Sequence, residues 1–227
     1  MCCYWSGAVK SLAYTKVSAG ESAAFADAPS QMRRTLDTEA ILETDRLLLE
    51  PLCEKHAVLL FPVVSDPGMY RFIPQQPPAD FAALAARYRR LESRYPHAGD
   101  EVWLNWALRL KMNGTYLGLL QATLRPRKAC AYIAYEVGVQ HQRKGYATEA
   151  CRRLLALLFE HEVDRVIAEV DSRNAASLAL LRRLNFGEDE YQENADHFKG
   201  GPSHEFRFVM TAPQYRQTLG APPPPRQ

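Results

Sequence analysis

Apolar positions along this chain follow two periods in turn, and each change of period marks an element. "TDRLLLEPL" (Thr44 to Leu52) is a short apolar run closed by Glu50, Pro51 and Leu52, and predicts a strand. "EKHAVLLFPVVSD" and "PADFAALAARYRRLESRY" repeat their apolar residues at helical spacing. The second is opened by Pro78 and Asp80, which suit a helix start. "VWLNWALRLKMNGTYLGLLQATLR" is two β-rich runs joined by Asn113-Gly114, a strong hairpin signal. After "RPRKA" a third run, "CAYIAYEVGV", pairs with the second and completes an antiparallel meander. The helix that follows carries Ala147, Cys151, Leu154 and Leu158 on one face. "VDRVIAEVD" (Val163 to Asp171) is the next strand, and a strand, helix and strand of this length imply a right-handed crossover to a parallel neighbour. "NAASLALLRRLNFG" predicts a helix stopped near Gly187, and "EFRFVM" a last strand. The fold class is therefore α+β: a mixed, mostly antiparallel central sheet flanked by helices, with one parallel strand pair.

The ends do not share this patterning. Residues 1 to about 38 are rich in Ser and Ala without sustained periodicity, and are expected to form a poorly structured leader. Two readings of it compete: a true start at Met32, or an organelle transit segment, against which the acidic Glu21 and Asp27 argue. Residues 40 to 212 form the expected domain, and residues 213 to 227, ending in "GAPPPPRQ", an extended proline-rich tail.

Composition narrows the class. A chain of 227 residues with 47% hydrophobic content suits one well-packed domain. A net charge of +2, from 28 Lys+Arg against 26 Asp+Glu, lacks the concentrated positive field of a nucleic-acid binder. No run reaches the ~18 apolar residues of a membrane span, so a soluble, cytoplasmic protein is expected. The five cysteines are odd in number and show no CxxC pair and no metal-ligand spacing, which fits reduced thiols and no metal site. Cys151, although close to the most informative turn of the chain, falls on an apolar helical stripe and reads as core.

That turn lies in "VGVQHQRKGYATEACRRLL" (Val137 to Leu155), which passes from strand to helix. A helix N-terminus offers backbone N–H groups without intrahelical partners and the positive end of the helix dipole. Gly145 permits unusual φ and close approach of a phosphate, and Arg143 and Lys144 add charge. Neither GxxxxGK[ST] nor GxGxxG is present, so the turn suits a pyrophosphate without being a nucleoside-triphosphate or dinucleotide loop. An ordinary strand-to-helix turn with a steric glycine is the alternative.

"QRKGYA" resembles the (Q/R)xxGx(G/A) acyl-CoA loop of the GNAT superfamily of acetyl-CoA-dependent N-acetyltransferases, and "NAASLALLRRLNFG" resembles that family's Asn-led second signature. "ETDRLLLEPL", "GYATEA" and "AEVDSRNAAS" are similar to the ribosomal-protein N-terminal acetyltransferase, or Rim-type, branch. The resemblance implies a GNAT-like sheet with its parallel pair around the acyl-CoA site, and acetyl-CoA as co-substrate. It further implies that the backbone of Gln142, Arg143, Lys144, Gly145, Tyr146, Ala147 and Thr148 binds the pyrophosphate. The main chains of Val137 and Val139, at the end of the third meander strand, would hold the pantetheine, with the Asn174 side chain; a helix N-cap is the structural reading of Asn174.

Acetyl transfer needs an uncharged amine, donors for the developing oxyanion and a proton for the departing thiolate. Many relatives place a tyrosine where this chain has Leu181, which cannot donate a proton. Ser177, one turn earlier as in the Rim-type branch, is the residue expected to support the thiolate, with helix packing as its plain alternative. Glu136 is a carboxylate inside an apolar strand, facing opposite to Tyr135 and Val137; it either serves the amine as base or orienting group, or is solvated or salt-bridged. His204 and Glu205 are reserve bases. Tyr70 and Phe72 are candidate pocket walls or ordinary packing aromatics. The acid-rich "GEDEYQENADHF" either steers a cationic amine or is a solvated surface. The reading is transfer by direct attack in a ternary complex, with a protein N-terminal amine as acceptor. The alternatives are a polyamine or aminoglycoside N-acetyltransferase and a non-catalytic acyl-CoA-binding sensor. A homodimer stays open as an assembly.

Overall fold

The computed structural model describes residues 2–3, 36–94 and 101–220. In chain order the elements are β1 (Cys2–Cys3), β2 (Leu42–Glu43), β3 (Leu47–Pro51), α1 (His56–Val64), α2 (Phe81–Glu92), β4 (Val102–Leu110), β5 (Tyr116–Arg125), β6 (Cys130–Val137), α3 (Tyr146–Glu160), β7 (Arg165–Asp171), α4 (Ala175–Arg183), β8 (Gly187–Phe198), β9 (Gly201–Thr211) and α5 (Ala212–Gly220). They build one sheet in the order β2-β3-β4-β5-β6-β7-β9-β8, with β1 beside β6. Every neighbouring pair is antiparallel except β6 and β7.

The parallel pair is short, and that brevity creates the site. β6 and β7 are in register only at Cys130–Arg165, Ala131–Val166 and Tyr132–Ile167. β6 then continues along β5 to Val137, while β7 continues along β9 to Asp171. From Ile133 and Ala168 onward the two strands part, leaving a splay with β6 backbone along one lip. Cys2 and Cys3 pair with Glu136 and Tyr135 on that parted stretch.

Each face of the sheet is sealed by its own pair of helices. Ile133, Tyr135 and Val137 of β6 join one core with the apolar stripe of α3 (Ala147, Ala150, Cys151, Leu154) and with Leu178 and Leu181 of α4. Leu60 and Val64 of α1 and Leu84 and Tyr88 of α2 join Ala107 and Leu119 in the other. Burial of each such leucine contributes about 1.5–3 kcal/mol. The α2 start is fixed as its sequence suggests: the Asp80 side chain accepts from the Ala83 N–H at 2.7 Å.

The structure extends the sequence reading in four places. The hairpin between β4 and β5 closes through Leu110 and Thr115 rather than a two-residue turn, with Gly114 at φ 73°. Val139 lies past the end of β6, in a single 3-10 turn (Val139–His141). The acid-rich segment is a full edge strand, β8; its charges are exposed on both faces, so it shows none of the apolar alternation that marks a half-buried strand. Residues 213–220, read as the start of the tail, lie in α5, where Tyr215 stacks on Phe159 of α3 at 4.6 Å. Most of the expected leader lies outside the described residues, but Leu36 is buried in the core.

Candidate active site

The strand-to-helix turn is shaped by two left-handed residues. Arg143 has φ 60° and Gly145 φ 82°, with Gln142 extended before them. A non-glycine residue in this region is strained, and alternating conformations of this kind turn successive N–H groups into one concavity suited to an anion. No side chain caps α3, so the N–H groups of Tyr146, Ala147 and Thr148 keep the open N-terminal character of a helix start. The loop is braced from below: the Gln142 side-chain amide donates to the Val137 carbonyl at 2.9 Å, and Lys144 Nζ to the Gln140 carbonyl at 3.0 Å. That bond already engages the Val137 carbonyl expected to meet the pantetheine. Burial, then the charge of Lys144, push the His141 imidazole below its ordinary range, so it adds no cation at neutral pH.

Arg46, in the turn before β3, belongs to this loop and escaped the sequence reading. Its Nη1 donates to the Lys144 carbonyl at 3.0 Å, and its guanidinium lies 4.6 Å above the Tyr146 ring. Its Nε reaches Glu149 in the first turn of α3 at 2.6 Å, and Thr44 Oγ1 donates to the same carboxylate at 2.6 Å. Burial acts to raise the Glu149 pKa, but these bonds outweigh it and hold the carboxyl below its usual range.

Deeper in the splay two buried oxygens lack partners among the described residues: Ser177 Oγ and Glu136 Oε2. Asn174 caps α4 as expected, its Oδ1 accepting from the Ser177 N–H at 3.2 Å. Tyr135 donates its hydroxyl to the Ser177 carbonyl at 3.5 Å, which sets Ser177 over the α3–α4 face of β6. Glu136 points the other way. Its Oε1 lies 3.9 Å from Arg87 Nη2 of α2, and a Cβ on neighbouring Gly138 would meet Val63 of α1. Ser177 and Glu136 thus approach the splay from opposite faces of one strand.

A bulge aims Glu136. Leu108 pairs with Gly118 but Arg109 with Tyr116, so Leu117 is the extra residue, and its carbonyl accepts from the Gly138 N–H at 2.8 Å. Gly118 is required there: at φ 151° a Cβ would sit 1.9 Å from the Glu136 carbonyl oxygen. Beside Glu136 lies Tyr88, a second residue that sequence reasoning missed because its spacing on α2 marks only a core face. It is fully buried, its hydroxyl has no partner among the described residues, and burial followed by the charge of Glu136 pushes its pKa well above the tyrosine range. The hydroxyl keeps its proton and is a donor.

The remaining candidates are less central. Tyr70 is buried and donates to the Val64 carbonyl at 2.7 Å, whereas Phe72 is half-buried under Arg71. The acidic field is partly compensated, since Glu188 pairs with Arg182 and Glu190 with Arg207. His204 Nδ1 accepts from the Asn194 N–H at 3.1 Å, and Glu205 lines a small polar depression with Glu169, Glu190, Gln192 and Arg207. Cys151 is fully buried, as its stripe predicts. Among the described residues no group of acids, histidines and cysteines is arranged to hold a metal, and no helix is long and apolar enough to cross a membrane.

The uncharacterized N-acetyltransferase YoaA of Bacillus subtilis is 23% identical over 176 residues, covering 77% of this chain and 98% of that protein. The uncharacterized N-acetyltransferase p20 of Bacillus licheniformis is 29% identical over 86 residues, 37% of this chain and 48% of p20, so this match spans about half of that relative. A GCN5-related N-acetyltransferase from Brucella melitensis superposes with a TM-score of 0.68 at 21% identity, covering 81% of this chain and 86% of that one. Two neighbours of similar fold differ in acceptor. The ribosomal L7/L12 α-N-protein acetyltransferase RimL has a TM-score of 0.65 at 17% identity over 76% of this chain and 94% of its own. Spermidine N-acetyltransferase from Vibrio cholerae, solved with CoA and spermine, has a TM-score of 0.64 at 16% identity over 76% and 99%. The model of the acetyltransferase (GNAT) domain matches residues 46–187, from Arg46 through the loop and both buried oxygens, and the chain belongs to this family of N-acetyltransferases.

Proposed function

We propose that this N-acetyltransferase acts on a protein N-terminal α-amine, in the manner of the Rim-type branch. The observation that carries the reading is the pair of buried, unpartnered oxygens, Ser177 Oγ and Glu136 Oε2, facing the splay from opposite sides of β6. An orphaned buried oxygen costs about 1–3 kcal/mol, so these two, with the Tyr88 hydroxyl beside Glu136 as a third, point to absent partners with hydrogen-bonding groups.

The family uses acetyl-CoA, and the residues fit it: the left-handed turn of Arg143 and Gly145 and the open start of α3 suit its pyrophosphate. Gln142 to Thr148 would hold that group through their amides; the β6 main chain at Val137, just past the stretch that β1 pairs with, the 3-10 turn at Val139 and the Asn174 side chain would serve its pantetheine arm, the Val137 carbonyl exchanging its bond from Gln142. Bound acetyl-CoA supplies an acetyl thioester that an uncharged amine attacks. Glu136 Oε2 receives the ammonium proton, directly or through water, and orients the amine. Ser177 Oγ–H would donate a hydrogen bond to the departing sulfur from the other face, and the thiolate would take up the second proton that the acylated nitrogen sheds. Tyr88, held protonated, donates to an oxygen beside the amine, which an α-amino carbonyl chain end has and a polyamine lacks.

A second reading, a polyamine acceptor, is favoured by the exposed acids of β8, which draw multiply charged amines. The test is thiol release from acetyl-CoA with peptide N-termini, polyamines and aminoglycosides, run on the wild type, Glu136→Gln and Ser177→Ala. Turnover confined to peptide N-termini, with an altered pH–rate profile in Glu136→Gln and slower turnover in Ser177→Ala, supports the reading. Preference for polyamines selects the alternative. Tight acetyl-CoA binding with no turnover on any amine points to a sensor.

A further inference from the structure

The tip of the β8–β9 hairpin crosses the molecule. Phe198 pairs with Gly201 around Lys199 and Gly200, whose φ values of 52° and 81° give the tight turn of a two-residue hairpin. From this tip Lys199 Nζ donates to the main-chain carbonyls of Tyr70 and Ile73, the latter at 2.9 Å. Those carbonyls belong to the segment after α1, whose start abuts Val139: a Cβ on Gly68 would lie 3.1 Å from Val139 Cγ2. The receiving segment therefore stands at the β6 lip of the splay.

The hairpin's root stands at the other lip. Asp171, the last residue of β7, is 5% exposed, accepts from Ser203 Oγ of β9 at 2.7 Å and holds Arg173 by two bonds of 2.9 and 2.6 Å. Arg173 in turn lies 5.8 Å from the Phe198 ring, and Lys199 flanks the same ring at 5.9 Å. The line Asp171, Arg173, Phe198, Lys199, Tyr70 and Ile73 thus runs from lip to lip. It lies on the side of α1 and α2, where Glu136 points, and away from the α3–α4 face, where the pyrophosphate turn opens.

From this geometry we infer that Lys199 is a specificity-determining residue: its two bonds fasten the hairpin as a strap across the acceptor mouth, so that a slender chain end enters and a bulky amine is refused. The inference deepens the acceptor reading and rests on it. Phe198 lies between Arg173 and Lys199, and the left-handed turn sets the lysine at the hairpin's tip. Without the ammonium, two carbonyls lose a charged donor and the tip loses its far anchor, while the Asp171 root stays in place.

The experiment compares the wild type with Lys199→Met, which keeps the stem and removes the donors, and Lys199→Arg, which restores donors. Hydrogen exchange is followed over residues 69–73, and acetyl transfer is measured to trialanine and to kanamycin. In Lys199→Met, exchange of this segment rises about tenfold, the ratio of kcat/KM for kanamycin over trialanine rises about tenfold, and acetyl-CoA affinity is unchanged. Lys199→Arg restores both readouts toward the wild type. Unchanged exchange overturns the strap. Faster exchange with an unchanged ratio overturns the specificity role alone. Turnover of neither amine by the wild type overturns the size gate, while the exchange arm still decides whether the strap exists and the wider amine panel decides the acceptor reading separately.

Discussion

Arg87 and Glu136 meet across the α1–α2 face at 3.9 Å, near enough for charge to act and too far for a hydrogen bond. Arg87 therefore compensates the buried carboxylate while leaving its second oxygen to another donor. Arg87→Met removes the compensation and keeps the stem. We expect kcat/KM for the acceptor to fall about tenfold, with acetyl-CoA affinity intact, because the charge fixes the carboxylate and lies far from the pyrophosphate turn. A variant with raised kcat/KM would identify Arg87 as a competitor of the incoming ammonium.

Arg46 ties three parts of the cofactor turn together: the Lys144 carbonyl, the Tyr146 ring and the Glu149 carboxylate. Arg46→Ala frees the loop and leaves Glu149 uncompensated next to an anion site. Calorimetric acetyl-CoA affinity is expected to weaken about tenfold. Arg46→Lys recovers little of this, because a point charge cannot bridge carbonyl and carboxylate as a planar fork does. Full affinity in either variant would show that the amides of the loop suffice.

How far the sequence alone reached follows from which signals are local. The β4–β5–β6 meander, the α3 crossover and the Gly145 turn are written in contiguous patterning, so their elements and their order are legible. Asn174 as a cap is legible from its place before a helical run, and Glu136 as an inward carboxylate from strand alternation, which fixes the face a residue takes. β8 is not, because an edge strand exposed on both faces has no apolar period. Arg46, Arg87, Tyr88 and Lys199 are silent in sequence: each acquires its role from a partner 40 or more residues away, Arg46 from Glu149 and Lys199 from Tyr70, for example. The bulge at Leu117 is silent too, since Gly118 reads as an ordinary strand glycine until the Glu136 carbonyl is seen against it.

Gly145 combines two demands, φ of 82° and an open concavity, that a side chain would violate together. A Cβ there would lie 3.3 Å from Arg46 Nη2, the far end of a flexible chain that can shift, so sterics against the protein are mild and the left-handed backbone is the main cost. Gly145→Ala is expected to destabilise by about 1–2 kcal/mol. That lowers Tm by roughly 2–8 °C for a chain of this size. Acetyl-CoA affinity should fall by more than this strain explains, since the methyl group enters the anion concavity. An equal loss of stability without loss of affinity would place the phosphate elsewhere.

Two carboxyl groups beside the site, Asp171 and Glu149, tie stability to pH. Burial acts to raise the pKa of Asp171, but Arg173 and Ser203 outweigh it and hold the carboxyl below its usual value; Glu149 is likewise held low against burial by Thr44 and Arg46. A carboxyl whose folded pKa lies below its unfolded one contributes stability above the unfolded value and loses it as pH falls through the folded value. Both contributions are therefore complete at neutral pH and are lost progressively as pH falls from about 4, where the unfolded chain takes up protons first, through the lower folded values. Melting curves from pH 7 to pH 3 should show Tm falling at the acid end. Asp171→Asn lowers Tm at neutral pH and flattens the acid limb, as Glu149→Gln does to a smaller degree because the Glu149 side chain is 18% exposed and that of Asp171 only 2%. Parallel curves for wild type and Asp171→Asn would mean that the bonds from Arg173 and Ser203 do not favour the ionised carboxylate, and the root of the strap would then need another anchor.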